Sequence, residues 1–164
     1  MPIAYVEVYE EEFERLEQAL RRLRYDSNAK AVFLIDKNGQ QIAAVGDVEE
    51  FDTTSLASLT AGNVAATDGL AKLIGEREFS VLFHEGQRDH IHISIVARRA
   101  ILLVIFDERS SLGLVRLRVK RASTEMDEIF EDMNRKENRG PEGQVETSPF
   151  SEITDEDIDS LFGD

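Results

Sequence analysis

Cysteine is absent from the 164 residues, which excludes a disulfide framework and any thiolate metal site and leaves no requirement for an oxidising compartment. Long apolar runs are missing too. AVFLI at residues 31–35 and AILLVIF at residues 100–106 fall far short of a bilayer span. The opening MPIAYVEVYEEEF is acidic where a secretory signal would be basic, so a soluble cytoplasmic protein is expected. No phosphate loop of the form GxxxxGK followed by Ser or Thr occurs, and the glycines of AVGD and IGERE stand singly, so the chain is not expected to bind nucleotide itself. The absence of GxSxG or another nucleophile setting argues against an independent hydrolase.

Positive charge is also scarce, with 19 basic against 33 acidic residues and a net charge of −14. Residues 140–164 hold 8 of those acids and no base, leaving 25 acids against 19 bases in the body. Such a balance argues against nucleic acid or an anionic membrane as the main ligand. The local basic stretch Arg116, Arg118, Lys120 and Arg121 could still serve a smaller acidic partner.

What is present is one good core. The hydrophobic fraction is 41%, enough for a single domain at this length. Val6, Tyr9, Phe13, Leu16, Leu20 and Leu23 recur at spacings of three and four, predicting an amphipathic first helix, acidic at its start and basic at its end. AVFLID, the turn KNG and QQIAAVG then predict a hairpin. FDTTS offers N-caps for a second helix running to about Gly75. FSVLFHEG, HIHISIVARR and AILLVIFD follow as three strands joined by turns at RDH and ARR. Leu112, Val115, Val119, Ala122, Met126, Ile129 and Met133 predict a third helix, capped by Ser110 or Ser111. The fold class is therefore α+β: an α-β-β-α-β-β-β-α sandwich with a five-stranded antiparallel sheet and helices on both faces. Boundaries are expected at 1–134 for the domain, 135–149 for a polar disordered linker and 150–164 for a C-terminal acidic amphipathic helix.

The second helix poses a problem. At 100° per residue Leu56, Leu59, Asn63, Ala66, Leu70 and Leu73 form one stripe, which reads as the core face. Ser58, Ala61, Gly62, Ala65 and Gly69 form another that is almost bare, although each internal glycine costs up to about 1 kcal/mol against alanine. Either that bare stripe packs beneath a strand within the chain, or it admits a partner at close range.

The element order, together with TAGNVAATDGLAKLIGE and SLGLVRLRVKRA, resembles the Roadblock family of small dimeric, longin-like domains. The resemblance covers residues 9–133 and extends to the tail SPFSEITDEDIDSLF. It implies a homodimer in which second helices pack together and neighbouring strands join two sheets. It also implies a partner, the GTP-bound form of a Ras-like small GTPase seated on the helix platform. The GTPase's own arginine and glutamine would be pushed into place, its hydrolysis stimulated, and no arginine finger donated. Arg15, Arg98, Arg99, Arg109, Arg116 and Arg121 offer no means of choosing a finger in any case. A role in cell polarity and motility, concentration at a cell pole and contacts with other polarity proteins follow from the same resemblance. The alternative is a Roadblock scaffold that binds a GTPase or polarity protein without activating it.

The residues expected to form the platform are Ala61, Ala65, Gly69 and Lys72, with Arg15, Arg116 and Arg121 as charge complements. In the tail, Thr154 is placed as an N-cap with Asp157 three residues on, and Ile153 can staple onto Ile158. Ile158, Leu161 and Phe162 give the short helix an apolar face, and Phe150 precedes it. So short a helix is expected to order on a partner, and the resemblance implies that this partner is the GTPase, contacted away from its active site with nucleotide exchange aided. His84, His90 and His92 with Glu85 and Asp89 could suggest a metal site, but solvent-facing strand histidines explain them more simply, so no metal and no cofactor are expected.

Overall fold

The computed structural model describes residues 3–139. The elements run α1 (Ile3–Ser27), β1 (Ala31–Asp36), β2 (Gln41–Gly46), a single 3-10 turn (Val48–Glu50), α2 (Thr53–Leu73), β3 (Val81–His84), β4 (His90–Val96), β5 (Ala100–Phe106) and α3 (Leu112–Arg139). The strands form one antiparallel sheet in the order β2-β1-β5-β4-β3. The order and sheet are those expected from the sequence.

Central strands β1, up to its terminal Asp36, and β5 are apolar because both of their faces are covered. Val32, Leu34, Leu102 and Val104 point to one side, where Leu16, Leu20 and Leu23 of α1 meet Val115, Val119, Met126 and Ile129 of α3. Ala31, Phe33, Ile35, Ile101, Leu103 and Ile105 point to the other, where α2 lies across the sheet with Val48 and Phe51 packed beside it. The strand period of two thus separates two half-cores. At the edges, β2 is shielded in part by α1, whereas β3 is short and Val81 is 45% exposed.

Turn chemistry follows the residues available. Asp36 Oδ1 accepts from the backbone N–H groups of Asn38 and Gln40 at 2.9 Å, and Gly39 supplies the φ of +91° that closes the β1–β2 hairpin. Ala97 and Arg98 both have positive φ between β4 and β5, the hand that matches strand twist. Ser111 Oγ accepts from Leu114 N at 3.2 Å and caps α3, while Ser110 Oγ donates to the Ser27 carbonyl.

One boundary differs from expectation. The linker was expected from residue 135, yet α3 continues to Arg139. Polar NRKEN contains good helix formers and is tied to the domain: Lys136 Nζ donates to the Glu12 carboxylate, and Arg99 pairs with Glu137 at 3.9 Å. The expected remainder of the linker and the tail helix, with Phe150, Ile153, Ile158, Leu161 and Phe162, lies outside the described residues.

Candidate functional site

Helix α2 is set firmly at both ends. Asp52 Oδ1 accepts from Ser55 N at 3.2 Å and its Oδ2 from Ser55 Oγ at 2.7 Å, and these bonds hold its carboxyl below the usual range. At the other end Glu76 N donates to Ala71 O at 2.8 Å and Gly75 N to Lys72 O at 3.2 Å, with Gly75 at φ +86°. That pair of bonds is the glycine-terminated stop of a helix that must end sharply.

Between the caps, the helix is turned opposite to the expected way. Ala57, Thr60, Ala61, Val64 and Ala71 are the residues buried against the sheet. Most of the leucine stripe expected in the core stands outward: Leu59 is 74% exposed, Leu70 60% and Leu73 82%, with Ile74 beside them, and only Leu56 packs in part against the core. Small side chains beneath the helix bring it close to the sheet and hairpin, where a Cβ on Gly39 would come within 3.2 Å of Ser58 Cα. The leucines, too large for that gap, occupy the opposite side.

Ala61 is therefore corrected: it is buried on the sheet side and cannot present itself to a partner. Ala65, Gly69 and Lys72 are exposed, as expected of a platform. Around the helix they flank the side nearer the β1–β2 hairpin, whereas the leucines flank the side nearer β3. Asn63 ties this second flank to the strand, its amide 3.4 Å from His84 Nε2. A Cβ added at Gly62 or Gly69 would meet nothing within 4 Å. Intrachain packing therefore does not require these glycines, which removes the reading that they pack beneath a strand.

The charged candidates are not brought to this face. Arg15 lies on α1 and donates to Asp132 Oδ2 of α3 at 2.8 Å, and that contact with Arg135 holds the Asp132 carboxyl below its usual range. Arg116 and Arg121 are exposed on α3. Since α1 and α3 cover the sheet face opposite α2, one platform cannot contain all seven residues. Sequence position alone carries no information about which side of a sheet a distant helix covers.

The residues that sequence reasoning missed are Leu59, Leu70, Leu73 and Ile74. A signal existed: α2 holds only two charged side chains, Asp68 and Lys72, in 21 residues, too few for one solvated face. The histidine reading also needs correction. His92 is not solvent-facing but 1% exposed beneath α3, with its Nδ1 lacking a partner and Ser94 buried beside it in the same strand. Burial, followed by the charge of Arg116, holds its pKa below the ordinary value. No group of three or more metal-ligating side chains occurs among the described residues. The polar cleft lined by Lys30, Arg88, Asp89, His90, Asp107 and Glu108 is internally compensated, with Lys30 3.3 Å from Asp89 and 3.6 Å from Glu50. No helix among the described residues is long and apolar enough to cross a membrane.

Comparison with known proteins accords with this geometry. The family described as Roadblock/LC7 domain matches residues 15–106. Curated proteins give no significant match. Among solved structures, Myxococcus xanthus MglB is 59% identical, with 75% of this chain and 92% of that one covered at a TM-score of 0.73. The gliding protein MglB of Thermus thermophilus is 35% identical over 74% of this chain and 92% of its own, at a TM-score of 0.70. An MglB with tetrameric arrangement is 34% identical over 74% and 91%, at 0.69. The chain belongs to the Roadblock/LC7 family, and within it is similar to MglB.

Proposed function

We propose that the protein is a homodimeric regulator of a Ras-like small GTPase of the MglA type, binding its GTP-bound form and stimulating hydrolysis. The observation that carries this reading is the outer face of α2: two glycines with open space beside them, next to three exposed leucines. A lone domain gains nothing from either feature. Pairing with a second copy would bury Leu59, Leu70 and Leu73 and could extend the sheet through the open β3 edge. The bare flank of Ala65 and Gly69, with Lys72 at its end, would then line a flat platform that a GTPase switch region can approach closely.

The mechanism that suits this platform is a shift of population. Helix α2 contains no arginine, and Lys72 and Asp68 are its only charges, so the face offers shape rather than a finger. A dimer that binds the hydrolysis-competent GTPase conformation better than the incompetent one raises the rate by the gain in competent population. In this reading the chain has no active site of its own. Residues 150–164, through Phe150, Ile153, Ile158, Leu161 and Phe162, would add a second GTPase contact away from the nucleotide and aid exchange. The cellular setting proposed is polarity and gliding motility, in the cytoplasm and at a cell pole.

Binding of GTP-loaded and GDP-loaded GTPase to the parent chain and to Ala65→Arg and Gly69→Arg tests the platform. Loss of GTP-form binding with an unchanged circular dichroism spectrum is expected. Parent-like binding by both variants would remove α2 from the interface. Binding without faster hydrolysis would make the protein a non-activating scaffold.

A further inference from the structure

Helix α3 begins with the charge that its dipole disfavours. Arg116, Arg118, Lys120 and Arg121 fall in its first three turns, with no acid before Glu125, whereas Glu125, Asp127, Glu128, Glu131 and Asp132 follow. Two of these acids are paired, Glu125 with Arg22 and Asp132 with Arg15 and Arg135. Three of the cations are not. Arg116, Lys120 and Arg121 are exposed, and none has a carboxylate of a described residue within 4.0 Å. Among them Leu117 is 61% exposed, and a Cβ at Gly113 would meet nothing within 4 Å. Gly113, Leu117, Lys120, Arg121 and Thr124 recur at spacings of three and four, so they share one outward face.

We infer that this face of α3 is the resting dock of the chain's own C-terminal segment, residues 150–164, in the protein free of other partners. Charge selects that occupant. Residues 140–164 carry eight acids and no base, and the body's remaining surplus of acid makes this basic face a local exception. Shape agrees, because one exposed leucine ringed by cations matches a short helix whose Ile158, Leu161 and Phe162 edge is flanked by Asp155, Asp157 and Asp159. Reach permits it. From Arg139 to Phe150 the chain can extend about 36 Å, whereas Arg121 lies about 27 Å from Arg139 along the helix. A tether of this length also supplies a high effective concentration, so a weak contact suffices. The segment folds back along α3, and a partner that takes it must first displace it from Leu117 and Arg121.

The inference rests on the amphipathic reading of residues 150–164, and its test contains no GTPase, so its failure leaves the platform reading intact. Because the chain has no cysteine, a full-length Thr124→Cys, Ser160→Cys variant takes two nitroxides at defined positions. Dilution with excess unlabelled chain confines the measured distances to one molecule. Docking predicts a narrow population below about 25 Å, the separation expected for labels across packed helices. It should broaden in about 0.5 M salt and in a Leu117→Ser, Arg121→Glu background, whose replaced residues are exposed and leave circular dichroism unchanged. A broad distribution identical in both backgrounds overturns the inference, as does a short distance that vanishes on dilution with unlabelled chain.

Discussion

Replacing Gly69 by alanine should make the protein more stable. Gly69 is interior to α2, and its added methyl meets no atom within 4 Å, so only the helix-propensity gain remains. That gain is about 0.8–1 kcal/mol, and the Gly62→Ala, Gly69→Ala double variant should gain about 1.5–2 kcal/mol, the two sites being independent. In a domain of this size 1 kcal/mol raises Tm by roughly 2–4 °C. Gly46→Ala is the internal control with the opposite sign. There φ is +95° and the new Cβ would lie 2.4 Å from the Lys30 carbonyl oxygen, so a loss of about 2 kcal/mol or more is expected. With no tryptophan in the chain, urea unfolding is followed by circular dichroism, at two well-separated concentrations that isolate the contribution of dimer dissociation. A Gly69→Ala variant that is neutral or destabilised at both concentrations would refute the reasoning, because the missing methyl would then face packed atoms.

Other perturbations test the remaining contacts. Leu70→Asp with Leu73→Asp should yield a folded monomer by light scattering, since both positions are exposed in the single chain; a dimer of unchanged mass would contradict it. Lys136→Ala strips the partner from Glu12, which is 1% exposed with Oε2 unpartnered, and should cost about 2 kcal/mol in unfolding experiments; pairing it with Glu12→Gln should recover most of that. His92 titrates below its ordinary value in the folded chain, so the unfolded chain takes up the proton first as pH falls. Its contribution is complete above about pH 6.5 and lost as pH drops from there through the lower folded value. His92→Leu should flatten that slope in stability measured against pH.

The element order was legible because each element's period is its own: AVFLI and AILLVIF are apolar throughout, and α3 repeats over six intervals of three or four. The orientation of α2 was not. A stripe of leucines at helical spacing has the same pattern whether it enters its own core or waits for a second chain, and here the core side is built from Ala57, Ala61, Val64 and Ala71 instead. The same ambiguity hid His92. Alternation places His90, His92 and Ser94 on one strand face, but only the path of α3 decides that His92 and Ser94 are covered. The exposure of Ala65, Gly69 and Lys72 was legible because small residues inside a helix leave one side bare, while Arg15, Arg116 and Arg121 were grouped with them by charge, which says nothing of which helix covers which face.

The most direct measurement is single-turnover GTP hydrolysis by an MglA-type GTPase alone, with the parent chain, and with the Gly69→Arg variant. The account predicts acceleration by the parent chain that persists without residues 140–164 and disappears with Gly69→Arg. Acceleration undiminished by that arginine, or no acceleration despite binding of the GTP-loaded form, would contradict a platform on α2 that remodels the GTPase site.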